Sequence, residues 1–137
     1  MSTLEHESAI RRLLSEYCQH YDDKRADDFA ALFAEDAKFT VFGKTRDGRQ
    51  AIHDNIGLQK PGQDPGQHIS YNSVIDVSSD GDTARAWTDF CYLKRSGNQY
   101  SITIAGRYFD RLVRDPDRWR FASRTIVFLG DPVPDDA

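Results

Sequence analysis

Cysteine, methionine and long apolar runs are scarce in this chain of 137 residues, which holds two cysteines, one methionine and two tryptophans. Cys18 and Cys91 stand far apart and outside any Cys-x-x-Cys spacing, so neither a disulfide framework nor a zinc knuckle is indicated. A reducing, cytoplasmic setting is expected. No stretch approaches the ~20 apolar residues a membrane helix needs, and the opening MSTLEHESAIRR lacks the apolar centre of a signal peptide. The expectation is a soluble protein with no membrane partner. Lys and Arg form no block, and 18 of them against 22 Asp and Glu leave a formal net charge of -4. Without a phosphate-binding stripe, nucleic acid is not an expected partner. Also missing are His-x-x-x-His, His-Glu-x-x-His, Gly-x-Ser-x-Gly and a glycine-rich phosphate loop. No metal and no cofactor is therefore expected, and proton transfer between side chains is the chemistry left.

What is present is enough apolar residue, 39%, for one domain with a real core and too short a chain for two. That domain is read as residues 1–131, and the acidic, proline-broken end at 132–137 as a disordered tail. Eight Phe and six Tyr suffice to line a pocket as well as fill a core, and composition does not choose between the two.

Ser2 or Thr3 can cap a helix over residues 4–23, whose apolar positions Ile10, Leu13, Leu14, Tyr17 and Tyr21 recur at helical spacing. A second helix is expected over Ala26 to Ala34, with Phe29, Leu32 and Phe33 turned inward. AKFTVFG at 37–43 has strand chemistry, and DGRQAIHDNIG at 47–57 has helix periodicity between an aspartate and a glycine. GLQKPGQDPGQ at 57–67 is too rich in Gly and Pro for regular structure and reads as a loop that can close over a site as a lid. Beyond it the period becomes 2 in four stretches, HISYNSVIDV, TARAWTDFCYLKR, YSITIAGRYFDRLVR and RWRFASRTIVFL, joined by turn sequences. Helices followed by a long antiparallel meander give an α+β domain, and a curled sheet closed by helices encloses a cone in which a small ligand can bind.

Several phrases resemble the SnoaL-like domains of the nuclear transport factor 2-like superfamily. They are YCQHYDDKRADDFAALFAEDA at 17–37, DGRQAI at 47–52, DGDTA at 80–84, and GRYFDRLVR at 106–114 followed by WRFA at 119–122. The likeness covers residues 4–129. It implies a cone-shaped fold with a curved, antiparallel-rich mixed sheet wrapped around N-terminal helices, assembled as a homodimer or homotrimer. It does not imply one reaction, because relatives include ketosteroid isomerases, scytalone dehydratase, bile acid dehydratases, polyketide cyclases and non-enzymatic binding modules.

Candidate site residues cluster at the end of the first helix and the start of the first long strand. Tyr17 and Tyr21 lie on the helix's apolar stripe, where they are either pocket-lining phenols with polar partners or core residues with hydroxyls at the surface. Asp22 is either a solvated helix end or, as the similar dehydratases imply for a Tyr and Asp at this place, part of a cavity network. His68, in a QHI context resembling the catalytic histidine of those dehydratases, has a side chain whose usual pKa of ~6.5 suits it to accept and return a proton at neutral pH. Its carboxylate partner is expected to be Asp22 or Asp89, the latter mid-strand on the side of Trp87 and Cys91. By regular alternation Ser70 and Asn72 share the face of His68 and can orient a ligand. Phe42, Trp87 and Arg107 complete the expected binding residues, with Arg124 as a further interior arginine. His6, His20 and His53 read as exposed helix residues. Against the resemblance, scytalone dehydratase would carry another histidine after His68, and Phe39 and Phe42 stand where its phenol is expected. The function that follows is a cofactor-independent lyase or isomerase acting on a small hydrophobic, oxygenated molecule such as a polyketide, steroid or aromatic alcohol. The alternative is a non-catalytic ligand-binding or assembly module.

Overall fold

In a computed structural model, which describes residues 1–55 and 64–137, the first helix begins at a reciprocal cap. Ser2 Oγ accepts from the Glu5 backbone at 3.2 Å while Glu5 Oε1 accepts from the Ser2 backbone at 3.3 Å, satisfying two donors that the first turn would otherwise orphan. Helix α1 (Thr3–Asp22) buries the stripe Ile10, Leu13, Leu14, Tyr17 and Cys18, as its spacing requires. His6 belongs to the same stripe and is a correction to the exposed reading. It is buried, and its Nδ1 accepts from Trp119 Nε1 at 3.1 Å.

Helix α2 (Ala26–Ala31) stops earlier than its periodicity suggests. The chain enters strand β1 (Phe33–Val41) because Phe33 pairs in parallel with Phe121 and packs its ring between Phe29 and Phe121, at 5.4 and 5.1 Å. A tertiary pairing thus overrides a local helical spacing. Phe42 and Gly43 both adopt positive φ, 53° and 72°, the geometry of a tight two-residue hairpin loop, so the chain reverses there into strand β2 (Lys44–Asp47), which the sequence reading omitted. Helix α3 (Arg49–Asn55) follows. Of the expected lid over 57–67, residues 57–63 lie outside the described residues.

Strands β3 (Gly66–Val77), β4 (Thr83–Ser96), β5 (Gln99–Arg114) and β6 (Trp119–Phe128) form the expected antiparallel meander, and β1 joins β6 in parallel, giving one six-stranded mixed sheet in the order β2-β1-β6-β5-β4-β3. Register shifts interrupt the ladders between Ser70 and Ser73 on β3 and, opposite Arg111 and Leu112, between Phe121 and Ser123 on β6. Such bulges sharpen the twist and help long strands curl. The closed end of the resulting cone is filled by side chains with essentially no exposure, among them Ile10, Phe29, Phe33, Ile52, Leu112 and Phe121. The acidic tail, expected to be disordered, is laid along the outside of the sheet, where Arg85 Nη2 donates to the Ala137 carbonyl at 3.0 Å. No described helix is long and apolar enough to cross a membrane.

Candidate active site

The open end of the cone is a cavity of about 720 Å³ whose wall includes Tyr17, Tyr21, His68, Phe90, Tyr92 and Tyr108. Its chemistry starts where α1 ends. Asp22, the last residue of that helix, takes hold of the start of β3 through both carboxylate oxygens: the His68 backbone N–H donates to Oδ2 at 2.9 Å, and His68 Nδ1 lies 2.7 Å from Oδ1. An ionised carboxylate only accepts, so the proton in that second bond belongs to Nδ1, and Nε2 is the nitrogen left to exchange one. Both side chains keep only about an eighth of their surface in water, 13% for His68 and 12% for Asp22, which strengthens the bond between them.

Aromatic rings pack the imidazole from three directions. Tyr21 and Tyr92 stand edge-on at 4.6 and 4.8 Å, and Tyr17 at 6.3 Å. Tyr92 approaches the start of β3 so closely that a Cβ at Gly66 would overlap its phenol, so any larger residue there displaces the ring from its place beside His68. Burial pushes the phenol pKa of Tyr17, Tyr21 and Tyr92 upward. All three remain protonated at neutral pH and can donate hydrogen bonds.

Below the phenols lies a buried ion pair. Arg124 donates from Nε and Nη2 to the two oxygens of Asp110 at 2.7 and 2.8 Å, and neither side chain has more than 1% exposure. The guanidinium lies over the rings of Tyr108, Tyr17 and Phe121, at 3.7, 4.2 and 4.4 Å from their centroids. Burial opposes its charge, but Asp110 and the phenols more than offset this, so the guanidinium stays ionised. Among the described residues, Arg124 Nη1 and the buried Tyr108 hydroxyl have no hydrogen-bond partner. Burial also holds the Tyr108 phenol well above its ordinary pKa.

Of the residues singled out from sequence, the structure therefore brings His68, Tyr17 and Tyr21 onto the cavity wall, with Asp22 bonded to His68 rather than lining the cavity, and Phe42 at the mouth stacked on Phe128 at 4.5 Å. Ser70 also points inward, within 3.2 Å of Cys18 Sγ. Four others are corrections, because they lie on the outer face of the sheet. Asp89 accepts from Arg107 Nε at 2.7 Å and from Asn72 at 3.3 Å, and Trp87 shares their shallow groove. Asp89 was assigned to the correct strand side with Trp87, but that side faces away from His68, whose cross-strand partner is Tyr92. Asn72 is displaced by the β3 bulge: two residues instead of one separate the inward Ser70 from the inward Ser73, which bonds Thr88 at 3.0 Å.

Sequence reasoning missed Tyr92, Tyr108 and Asp110, and it left Arg124 as a minor candidate. Asp110 carried a usable signal, since alternation places it on one face with the buried Tyr108 and Leu112. Arg124 did not: counting by twos from Trp119 and Phe121 turns it outward, and only the bulge at Ala122 on β6 turns it in. Among the described residues no cluster of three or more His, Cys, Asp or Glu could hold a metal ion.

The geometry has close counterparts among solved structures. A Mycobacterium tuberculosis protein of unknown function superposes with a TM-score of 0.85 at 24% identity, covering 98% of this chain and 81% of that one. A protein from Novosphingobium aromaticivorans, described as nuclear transport factor 2-like with a cystatin-like fold, gives 0.84 at 25% identity over 95% and 86% of the two chains. A second protein from that organism, named as a candidate scytalone dehydratase, gives 0.79 at 25% identity over 92% and 85%. No curated protein matches the sequence. With residues 2–125 matching the model of the SnoaL-like domain and the cone architecture shared with these structures, the chain belongs to the SnoaL-like family of nuclear transport factor 2-like proteins.

Proposed function

We propose that this protein is a cofactor-independent lyase or isomerase whose substrate is a small hydrophobic molecule bearing a carbonyl. The observation that carries this reading is the His68 and Asp22 pair, 2.7 Å apart and nearly dry, on a cavity lined by phenols and aromatic rings. The family does not fix the reaction, and the chemistry is argued from the site. His68 Nε2 accepts a proton from the carbon next to the carbonyl, and Asp22 stabilises the imidazolium that results, as an acid/base histidine requires. The electrons of the broken C–H bond move onto the carbonyl oxygen. Tyr17 or Tyr21, kept protonated by burial, donates a hydrogen bond to that developing oxyanion, and the Tyr108 hydroxyl lies on the same wall. The enolate then collapses in one of two ways: the imidazolium protonates a departing hydroxyl, releasing water, or it returns the proton to a different carbon and shifts a double bond.

The test is a panel of β-hydroxy ketones and β,γ-unsaturated ketones with ring bodies, followed by the ultraviolet absorbance of the conjugated product and by deuterium uptake at the α-carbon in heavy water. Turnover by the wild type, reduced ~10²–10⁴-fold in His68→Ala, is the expected result. Product formation that survives this substitution removes the histidine from the mechanism. A cavity that binds the ketones without exchanging their α-protons marks the protein as a binding module.

A further inference from the structure

We infer that the substrate's apolar body ends in an anionic group, a carboxylate or a phosphate, held at the mouth of the cavity by Lys44, Arg46 and Lys94. This rests on the acid/base reading of the same cavity and extends it to a substrate class. The hairpin register carries the argument. On β1 and β2, Phe39 stands opposite Arg46 and Val41 opposite Lys44. Directly opposed residues of an antiparallel pair project to the same face. Phe39 and Val41 face the cavity, and so do both cations.

The alternate positions of this hairpin satisfy one another: Lys38 pairs with Asp47 at 3.1 Å, and Thr40 with Thr45 at 2.8 Å. Lys44 and Arg46, in contrast, have no carboxylate within ion-pairing distance among the described residues. Across the mouth, among the described residues, Lys94 pairs only with Asp64, at 4.0 Å, with both side chains nearly half exposed. Apart from His68, the described wall thus carries three cations against one carboxylate, in a chain whose formal net charge is -4. A cleft lined by one sign of charge with apolar walls raises the local concentration of the opposite ion.

Placement separates the two ends of such a substrate. Arg124, the cation deep in the cone, is already bound bidentately by Asp110, so the deep end does not compete for the anion. The stacked Phe42 and Phe128 and the neighbouring Ile104 and Ile126 supply apolar wall for the body. An anion anchored at the mouth leaves the other end of the molecule to the imidazole and the phenols.

The probes are naphthalene-2-carboxylate, 2-naphthyl phosphate and the neutral naphthalene-2-carboxamide, titrated calorimetrically into the full chain, into the Lys44→Gln/Arg46→Gln double variant and into Lys94→Gln. At least one anion is expected to bind the wild type ~10-fold or more tighter than the amide, with the advantage shrinking in high salt. The double variant should lose most of that advantage while binding the amide as before, which also reports that it is folded, and Lys94→Gln should lose part of it. Comparison of carboxylate with phosphate tells which anion the mouth prefers. Equal affinity for amide and anions in the wild type, an anion preference that survives the double substitution, or no binding of any probe overturns the proposal. Because the readout is affinity, an inactive or unchanged His68→Ala leaves the result standing, and loss of the anion preference leaves the acid/base reading standing.

Discussion

Asp22 commits both carboxylate oxygens to one residue, and this double grip separates a positioning role from simple charge pairing. Asp22→Asn keeps an oxygen for the His68 backbone N–H, so β3 stays anchored, but an amide cannot stabilise the imidazolium as a carboxylate does. The expected outcome is a fall in turnover of ~10²-fold or more with little change in KM, read by steady-state kinetics beside an unchanged thermal midpoint. At the same scale, Tyr17 and Tyr21 were legible in the helical stripe of α1, whereas Asp22 and His68 stood out through the resemblance to the dehydratases. Tyr92 was not, since its place beside the imidazole depends on the β3 and β4 register, in which it stands opposite His68.

Among the elements, the strands decide more than their periods suggest. Two bulges reverse the parity of alternation, sending Asn72 out and Arg124 in, and no count by twos along the sequence anticipates them. The ion pair this creates has a specific energetic signature. Removing one partner of a buried pair strands the other charge and costs about 3–5 kcal/mol, whereas replacing both by apolar groups costs far less than the sum. Arg124→Leu and Asp110→Leu should each destabilise by about that amount, and the double variant by clearly less, in a urea-unfolding cycle. On the helices, His53 Nδ1 and Nε2 sit 2.9 Å from Asp54 and Asp27 respectively, tying α3 to α2. The bond to Asp54, assisted by Asp27, raises the His53 pKa above its ordinary value. A histidine with a raised folded-state pKa adds stability that is fully present below its unfolded value and is lost as pH rises through the folded one. The stability difference between wild type and His53→Gln should therefore be largest in mild acid and disappear in mild alkali, measured by urea unfolding across the neutral range.

As a whole, the molecule is a cone packed solid at one end and open at the other. The closed end carries the stability. Phe33→Ala there, in a side chain with no exposure and ring contacts to Phe29 and Phe121, should cost about 3–5 kcal/mol. Ile104 lies on the open wall at 40% exposure, and Ile104→Ala should cost below about 1 kcal/mol while shifting the affinity for ligands with bulky bodies. Chemical denaturation and ligand titration of the two variants separate these outcomes. A small domain can leave an interior cavity of this size open only because the remaining apolar surface is buried well at the other end.

Local periodicity, caps and turn chemistry carry the α+β order of helices before meander and the buried stripe of α1, and the family resemblance points to the helix end and strand start that meet at the cavity. Long-range packing makes Asp22 rather than Asp89 the partner of His68, buries Arg124 with Asp110, and turns Lys44 and Arg46 inward beside Phe39 and Val41. Each of these turns on strand register, bulges and the reversal at Phe42 and Gly43. Register is settled by side-chain packing between residues distant in the chain, which no window of neighbouring residues contains.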